Sequence, residues 1–108
     1  MYLSEDILNA AFLVYEEWGP NRRVDRRSRL AEEFKQLLSM QEIEVILTLM
    51  GEVSRTIWKI AEAGGETKLG RDNMTKQLQE KHPFLHGEGL NHALFLCNYY
   101  AWHEGYDK

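Results

Sequence analysis

The stretch SMQEIEVILTLMGEVSRTIWKIAEA, residues 39–63, constrains this chain more than any other. Ile43, Ile46, Leu47, Leu49, Met50, Val53, Ile57, Trp58, Ile60 and Ala61 recur at helical spacing. At about 100° per residue they cover about half the circumference of a helix. The start is written locally. Ser39 is followed three residues later by Glu42, a capping box, and Leu38 and Ile43 are placed to close over it as a hydrophobic staple. The end is expected near Ala63, before Gly64-Gly65. Glu44, Thr48, Glu52, Arg55, Lys59 and Glu62 fall on the outer face and read as a solvated side, its charges paired at (i, i+3) and (i, i+4). A long helix with that much apolar surface must be covered by other elements, and no alternating strand pattern occurs to cover it. The fold class expected is therefore all-α: a compact bundle of about five helices, with this long helix, the third, at its centre.

The covering helices read as follows. The first, in LSEDILNAAFLVYEEWG, is capped by Ser4, has Glu5 and Asp6 in its first turn and Leu3 and Leu8 as a staple. Its inward stripe is Ile7, Leu8, Ala11, Val14, Tyr15 and Trp18, with Leu13 off the stripe, and Gly19-Pro20 ends it. The second, RLAEEFKQLLS, turns Leu30, Phe34, Leu37 and Leu38 inward. A flexible linker is expected at about 64–72, where GGETKLGRDN has three glycines and little to bury. The short fourth helix, NMTKQLQEKH, is capped by Asp72 or Asn73 and stopped by Pro83. The fifth, GLNHALFLCNYYAWHEG, has almost no polar side, so it is either enclosed or part of an interface. At 108 residues the chain is expected to be a single helical domain.

Charge is distributed unevenly. Residues 19–40 hold six Lys/Arg against three acids, a net of +3, in a chain of net −4, so the rest carries −7. Five of those cations are Arg22, Arg23, Arg26, Arg27 and Arg29. A helix beginning at Arg22 would put Arg23 and Arg27 on its apolar face, so a structured loop leading to a helix start near Asp25 or Ser28 is expected, with the arginines on an exposed corner. Three uses of that corner compete. The arginines can brace it by pairing with Glu16, Glu17, Glu32 and Glu33. They can form a site for a protein with an acidic surface, since the planar guanidinium binds carboxylates bidentately. They can contact phosphates, which the acidic body and the absence of interleaved aromatics disfavour.

Signs of chemistry are few. The chain has no G-x-S-x-G, P-loop, G-x-G-x-x-G or H-E-x-x-H motif. His82 and His86 have the spacing of a helical metal pair, but Pro83 breaks it and no third ligand is evident beyond Glu88, so no metal or other cofactor is expected. His92 and His103 share a side of the fifth helix but lie about 16 Å apart along its axis. Glu88 and His92 are the one acid–base pair worth naming. Cys97 sits in ALFLCNYY and reads as a small core residue. The expected function is a non-catalytic protein–protein interaction module of an inhibitory, immunity-type or regulatory kind. It would use the arginine corner together with Tyr99, Tyr100 and Trp102, residue types that anchor interfaces. A nucleic-acid-associated regulator is the second expectation and a small helical enzyme the third. Partners expected are an acidic-surfaced protein or a second copy of the chain, with nucleic acid disfavoured. The first 25 residues lack a basic lead and an apolar run, and no stretch approaches a membrane span, so a cytoplasmic location is expected.

Overall fold

A computed structural model describes residues 3–17 and 25–108, which form six α-helices and, among the described residues, no strand. In chain order these are α1 (Glu5–Tyr15), α2 (Arg26–Phe34), α3 (Met40–Glu62), α4 (Gly65–Leu69), α5 (Arg71–Lys81) and α6 (Gly87–His103). The all-α bundle is as expected, with one helix more. α3 is the scaffold: it packs most extensively on α6 and also carries α1, α2 and α5. Its Ile43, Ile46, Met50, Val53, Ile57 and Ile60 are at most 1% exposed, and they meet Phe12, Leu30, Met74, Leu78, Leu94 and Leu96 in one core.

The helix starts written in the sequence are present. The Ser4 hydroxyl accepts from the Ile7 amide at 3.2 Å, and Asp25 accepts from the Ser28 amide at 3.2 Å. At α3 both halves of the capping box form: the Glu42 amide donates to Ser39 Oγ at 3.1 Å, and the Glu42 carboxylate accepts from the Ser39 amide at 2.9 Å. Ser39→Ala should lower the unfolding free energy by about 1 kcal/mol in a urea titration; an unchanged midpoint would mean that this junction contributes nothing to the stability of the fold.

Four expectations are corrected. The inward face of α1 is turned towards Phe12 and Asn9, which are 0% and 7% exposed, while Ile7, Val14 and Tyr15 are only partly buried; Trp18 and the Gly19-Pro20 stop lie outside the described residues. Second, α2 ends at Phe34, so its periodicity stops before Leu37, which stands in the following turn at 70% exposure. Leu38 alone of that pair reaches the core. Third, Trp58 of α3 is 37% exposed. Fourth, the segment 64–72 is not an open linker. It forms α4 and the first residues of α5, which starts after Gly70 without the side-chain cap expected from Asp72 or Asn73. What holds it is a close approach to α6. Gly65 is buried, a Cβ there would lie 2.9 Å from Asn98 Oδ1 and 3.1 Å from the Ala101 methyl, and the next amide, of Glu66, donates to Asn98 Oδ1.

Candidate protein-interaction surface

The sequence of α6 is apolar nearly all round, so neighbours decide which side is enclosed. Gly89, Ala93, Cys97 and Ala101 recur every fourth residue and are all buried, which makes one flank of the helix narrow. α1 and α4 approach along it. Bulky side chains are displaced to the other flank. Taking Gly89 as zero and about 100° per residue, Trp102, Phe95, Tyr99, His92 and His103 fall between roughly 220° and 320°. Their rings form a continuous ladder. His92 stacks on Phe95 with centroids 6.1 Å apart, Phe95 on Tyr99 at 6.1 Å, and Tyr99 lies 6.1 Å from Trp102 and 5.7 Å from His103. Phe95 is 52% exposed and Trp102 64%. Grouped in one arc, these large rings form the kind of patch that marks an interaction surface rather than scattered surface apolarity.

Of the three aromatic residues expected to serve an interface, Tyr99 and Trp102 are on this stripe. Tyr100 is turned towards α3, where its ring lies parallel to Trp58 at 4.1 Å with 9° between the planes. Phe95, whose exposure the apolar character of this helix already suggested, joins Tyr99 and Trp102, and so do His92 and His103, which the sequence argument for an interface did not name. Their spacing with Tyr99 and Trp102, three and four residues apart, was the available signal.

The arginines are carried by a different element. Arg22 and Arg23 lie outside the described residues. The other three make intramolecular contacts. Arg26 donates from Nε to the Tyr15 carbonyl at 2.9 Å and lies 4.6 Å over the Tyr15 ring, so it closes the C-terminal end of α1. Arg27 forms a two-point pair with Glu44 of α3, one contact at 3.0 Å, and this partnership raises the guanidinium and lowers the carboxyl. Arg29, with a side chain 14% exposed, donates to Glu17 at 2.7 Å and lies within 4.0 Å of Glu32 and Glu33; the Glu17 hydrogen bond keeps it charged. Glu16, named as a brace, is instead buried and accepts from the Ser54 hydroxyl at 2.6 Å.

The remaining polar candidates are dispersed. His82 is buried and 2.8 Å from the Thr56 hydroxyl, while His86 is half-exposed and 3.9 Å from Asp6. Among the described residues no three His, Cys, Asp or Glu are grouped to hold a metal ion. His92 lies 3.3 Å from the Glu16 carbonyl and edge-on to Phe12, so its ring faces α1 and not Glu88. Burial pushes the Cys97 thiol up to about 12, which leaves little thiolate at neutral pH. Among the described residues no helix is long and apolar enough to cross a membrane. No protein-family model, curated protein or solved structure matches this chain.

Proposed function

We propose that this protein is a non-catalytic protein–protein interaction module, of a regulatory or inhibitory kind, and that the aromatic stripe of α6 is its docking surface. One observation carries the reading: Phe95 and Trp102 are both more than half exposed on the same arc of a helix whose opposite flank is fully enclosed. Leaving more than half of two large side chains in water forgoes about 1 kcal/mol or more of burial each, and a partner would recover it. The reading places the stripe before the arginine corner, because Arg26, Arg27 and Arg29 already have their guanidinium groups on Tyr15, Glu44 and Glu17.

The spacing of the stripe also suggests the shape of the partner. Phe95, Tyr99 and Trp102, with His92 behind them against α1, follow a four–three rhythm, the seam of one helix packed along another. A second copy related by a two-fold axis meets that requirement with the same residues on both sides. Static light scattering over the micromolar range should show a wild-type dimer. Trp102→Ala should weaken it on the order of thirtyfold, the loss of about 2 kcal/mol typical of an interfacial aromatic anchor. Should the wild type stay monomeric, immobilised wild type and Trp102→Ala can be compared for what they retain from native extract. A chain that neither dimerises nor holds any partner sensitive to Phe95→Ala or Trp102→Ala is not a module of this kind.

A further inference from the structure

On the face of the bundle formed by α3 and the end of α5, a cleft of about 330 Å³ is lined by Glu52, Arg55, Thr56, Lys59, Lys81 and His82. We propose that this cleft is a phosphate-group site, held by Arg55, Lys59 and Lys81 over the Thr56–His82 pair, for free phosphate or a small phosphomonoester.

Several independent observations converge on it. The chain is acidic, yet three cations are gathered here. Arg55 and Lys59 are four residues apart on one helix, a like-charge arrangement that works against α3. Glu52 is the one carboxylate in the lining, so the cleft keeps a net positive charge, and among the described residues no ion pair joins Arg55, Lys59 or Lys81 to a carboxylate, although Arg27, Arg29 and Arg71 are each paired. The pairing expected along the outer face of α3 is therefore missing at the point where these cations meet. A dianion between them would turn mutual repulsion into attraction.

The floor is built rather than incidental. Thr56 and His82 are each 7% exposed, the first within α3 and the second at the C-terminal cap of α5. Thr56 Oγ1 lies 3.2 Å from the Glu52 carbonyl and makes a 2.8 Å hydrogen bond with His82 Nε2. The pair fixes the end of α5, and with it Lys81, against Arg55 and Lys59 on α3. Burial lowers the His82 imidazole below its ordinary range, Glu52 pulls it upward, and Lys81 lowers it further, so the floor is neutral in the empty cleft. Arginine offers a planar fork for two phosphate oxygens and the lysines offer point charges. The volume is at the small end for ligand pockets, which suits a phosphate with little attached. The −4 charge of the whole chain does not forbid this. Screening limits the acidic body to about 8–10 Å of reach at ordinary salt, whereas the three cations line the site itself. The inference stands apart from the α6 reading, since it uses none of the same residues.

The test is a proton–nitrogen NMR titration of the full chain with inorganic phosphate and, separately, glycerol 3-phosphate, each at constant ionic strength against sodium chloride. The amides of Thr56, Lys59 and His82 should shift saturably, with half-saturation at millimolar concentration or below, and the His82 imidazole should titrate at higher pH in the bound form. Tighter binding of glycerol 3-phosphate would identify a monoester as the ligand, and tighter binding of inorganic phosphate the free ion. The double variant Arg55→Gln/Lys59→Gln should bind at least tenfold more weakly while melting no lower than wild type, because it relieves a repulsion. Lys81→Gln, at the end of α5, gives the same reading if the double variant does not fold. Shifts that grow linearly and match those from chloride would overturn the site, and so would saturable binding unaffected by either variant.

Discussion

Phe12→Ala should lower the unfolding free energy by about 3–5 kcal/mol, the range for truncating an enclosed aromatic side chain. Phe12 is 0% exposed, at the meeting of α1 with the core, and its ring takes the edge-on contact with His92 of α6. Truncation removes the buried area and opens a void that the surrounding core, itself enclosed, can fill only partly. Set against a total of about 5–15 kcal/mol for a domain, that is about a fifth of the stability or more. Urea or guanidinium denaturation should show the midpoint falling with an unchanged slope. Leu37→Ala is the paired control. Leu37 is 70% exposed in the turn after α2, so its truncation should cost less than about 0.5 kcal/mol. Equal losses at the two positions would mean that the inward faces of α1 and α2 are not those described.

Asn9→Ala should cost about 2–4 kcal/mol, from hydrogen bonds and not from volume. Asn9 is 7% exposed and ties two distant parts of the chain. Its Nδ2 donates to the Glu5 carbonyl at 2.8 Å and the Phe84 carbonyl at 2.7 Å, and its Oδ1 accepts from the His86 amide at 3.2 Å. Those last two groups bracket the turn that enters α6, and water cannot easily replace the amide beside them. Asn9→Asp should be no better, since a carboxylate can accept from His86 but cannot donate to Phe84. The same side chain sets the closeness of α6. A Cβ on Gly89 would lie 2.0 Å from Asn9 Oδ1, which is held on both sides and cannot step aside, so Gly89→Ala should be destabilising in its own right. With the amide removed the nearest atom to that Cβ becomes the Asn9 Cβ at 3.1 Å, a tight but yielding contact. The double variant Asn9→Ala/Gly89→Ala should therefore lose less than the two single losses added together. Strict additivity in a double-mutant cycle would show that the two residues do not share this contact.

These two residues also show where sequence reasoning stopped. The stripe Ile7, Leu8, Ala11, Val14, Tyr15 is a fair reading of α1 if a polar residue must face outward. Asn9 breaks that rule because backbone groups 75 and 77 residues away complete what the Glu5 carbonyl begins in matching its amide, and once it points inward Phe12 follows it. No window along the chain contains those partners. The cationic cleft is a similar case. Arg55 and Lys59 could have been flagged as like charges at helical spacing, but Lys81 and the Thr56–His82 pair join them only through the packing of α5 on α3.

What the sequence determined by itself are the features whose causes lie within four residues of one another. These are the Ser4, Asp25 and Ser39 starts, the stop at Pro83, the long amphipathic α3 and the all-helical character that follows from it. Each depends on a side chain meeting a nearby amide, or on a period of 3.6, and distance through the fold does not enter. Tertiary structure alone decided which side of α6 is enclosed. That helix is apolar on every side, so its hydropathy does not rank its faces. The ranking came from the small residues Gly89, Ala93, Cys97 and Ala101, which let α1 and α4 come close and left Phe95 and Trp102 facing out. It also decided that residues 64–72 are built into α4 and the start of α5. Gly64 and Gly65 read as freedom in the unfolded chain, but a residue without a side chain is also the one that can be pressed against Ala101 and Asn98, and in this fold that contact prevails.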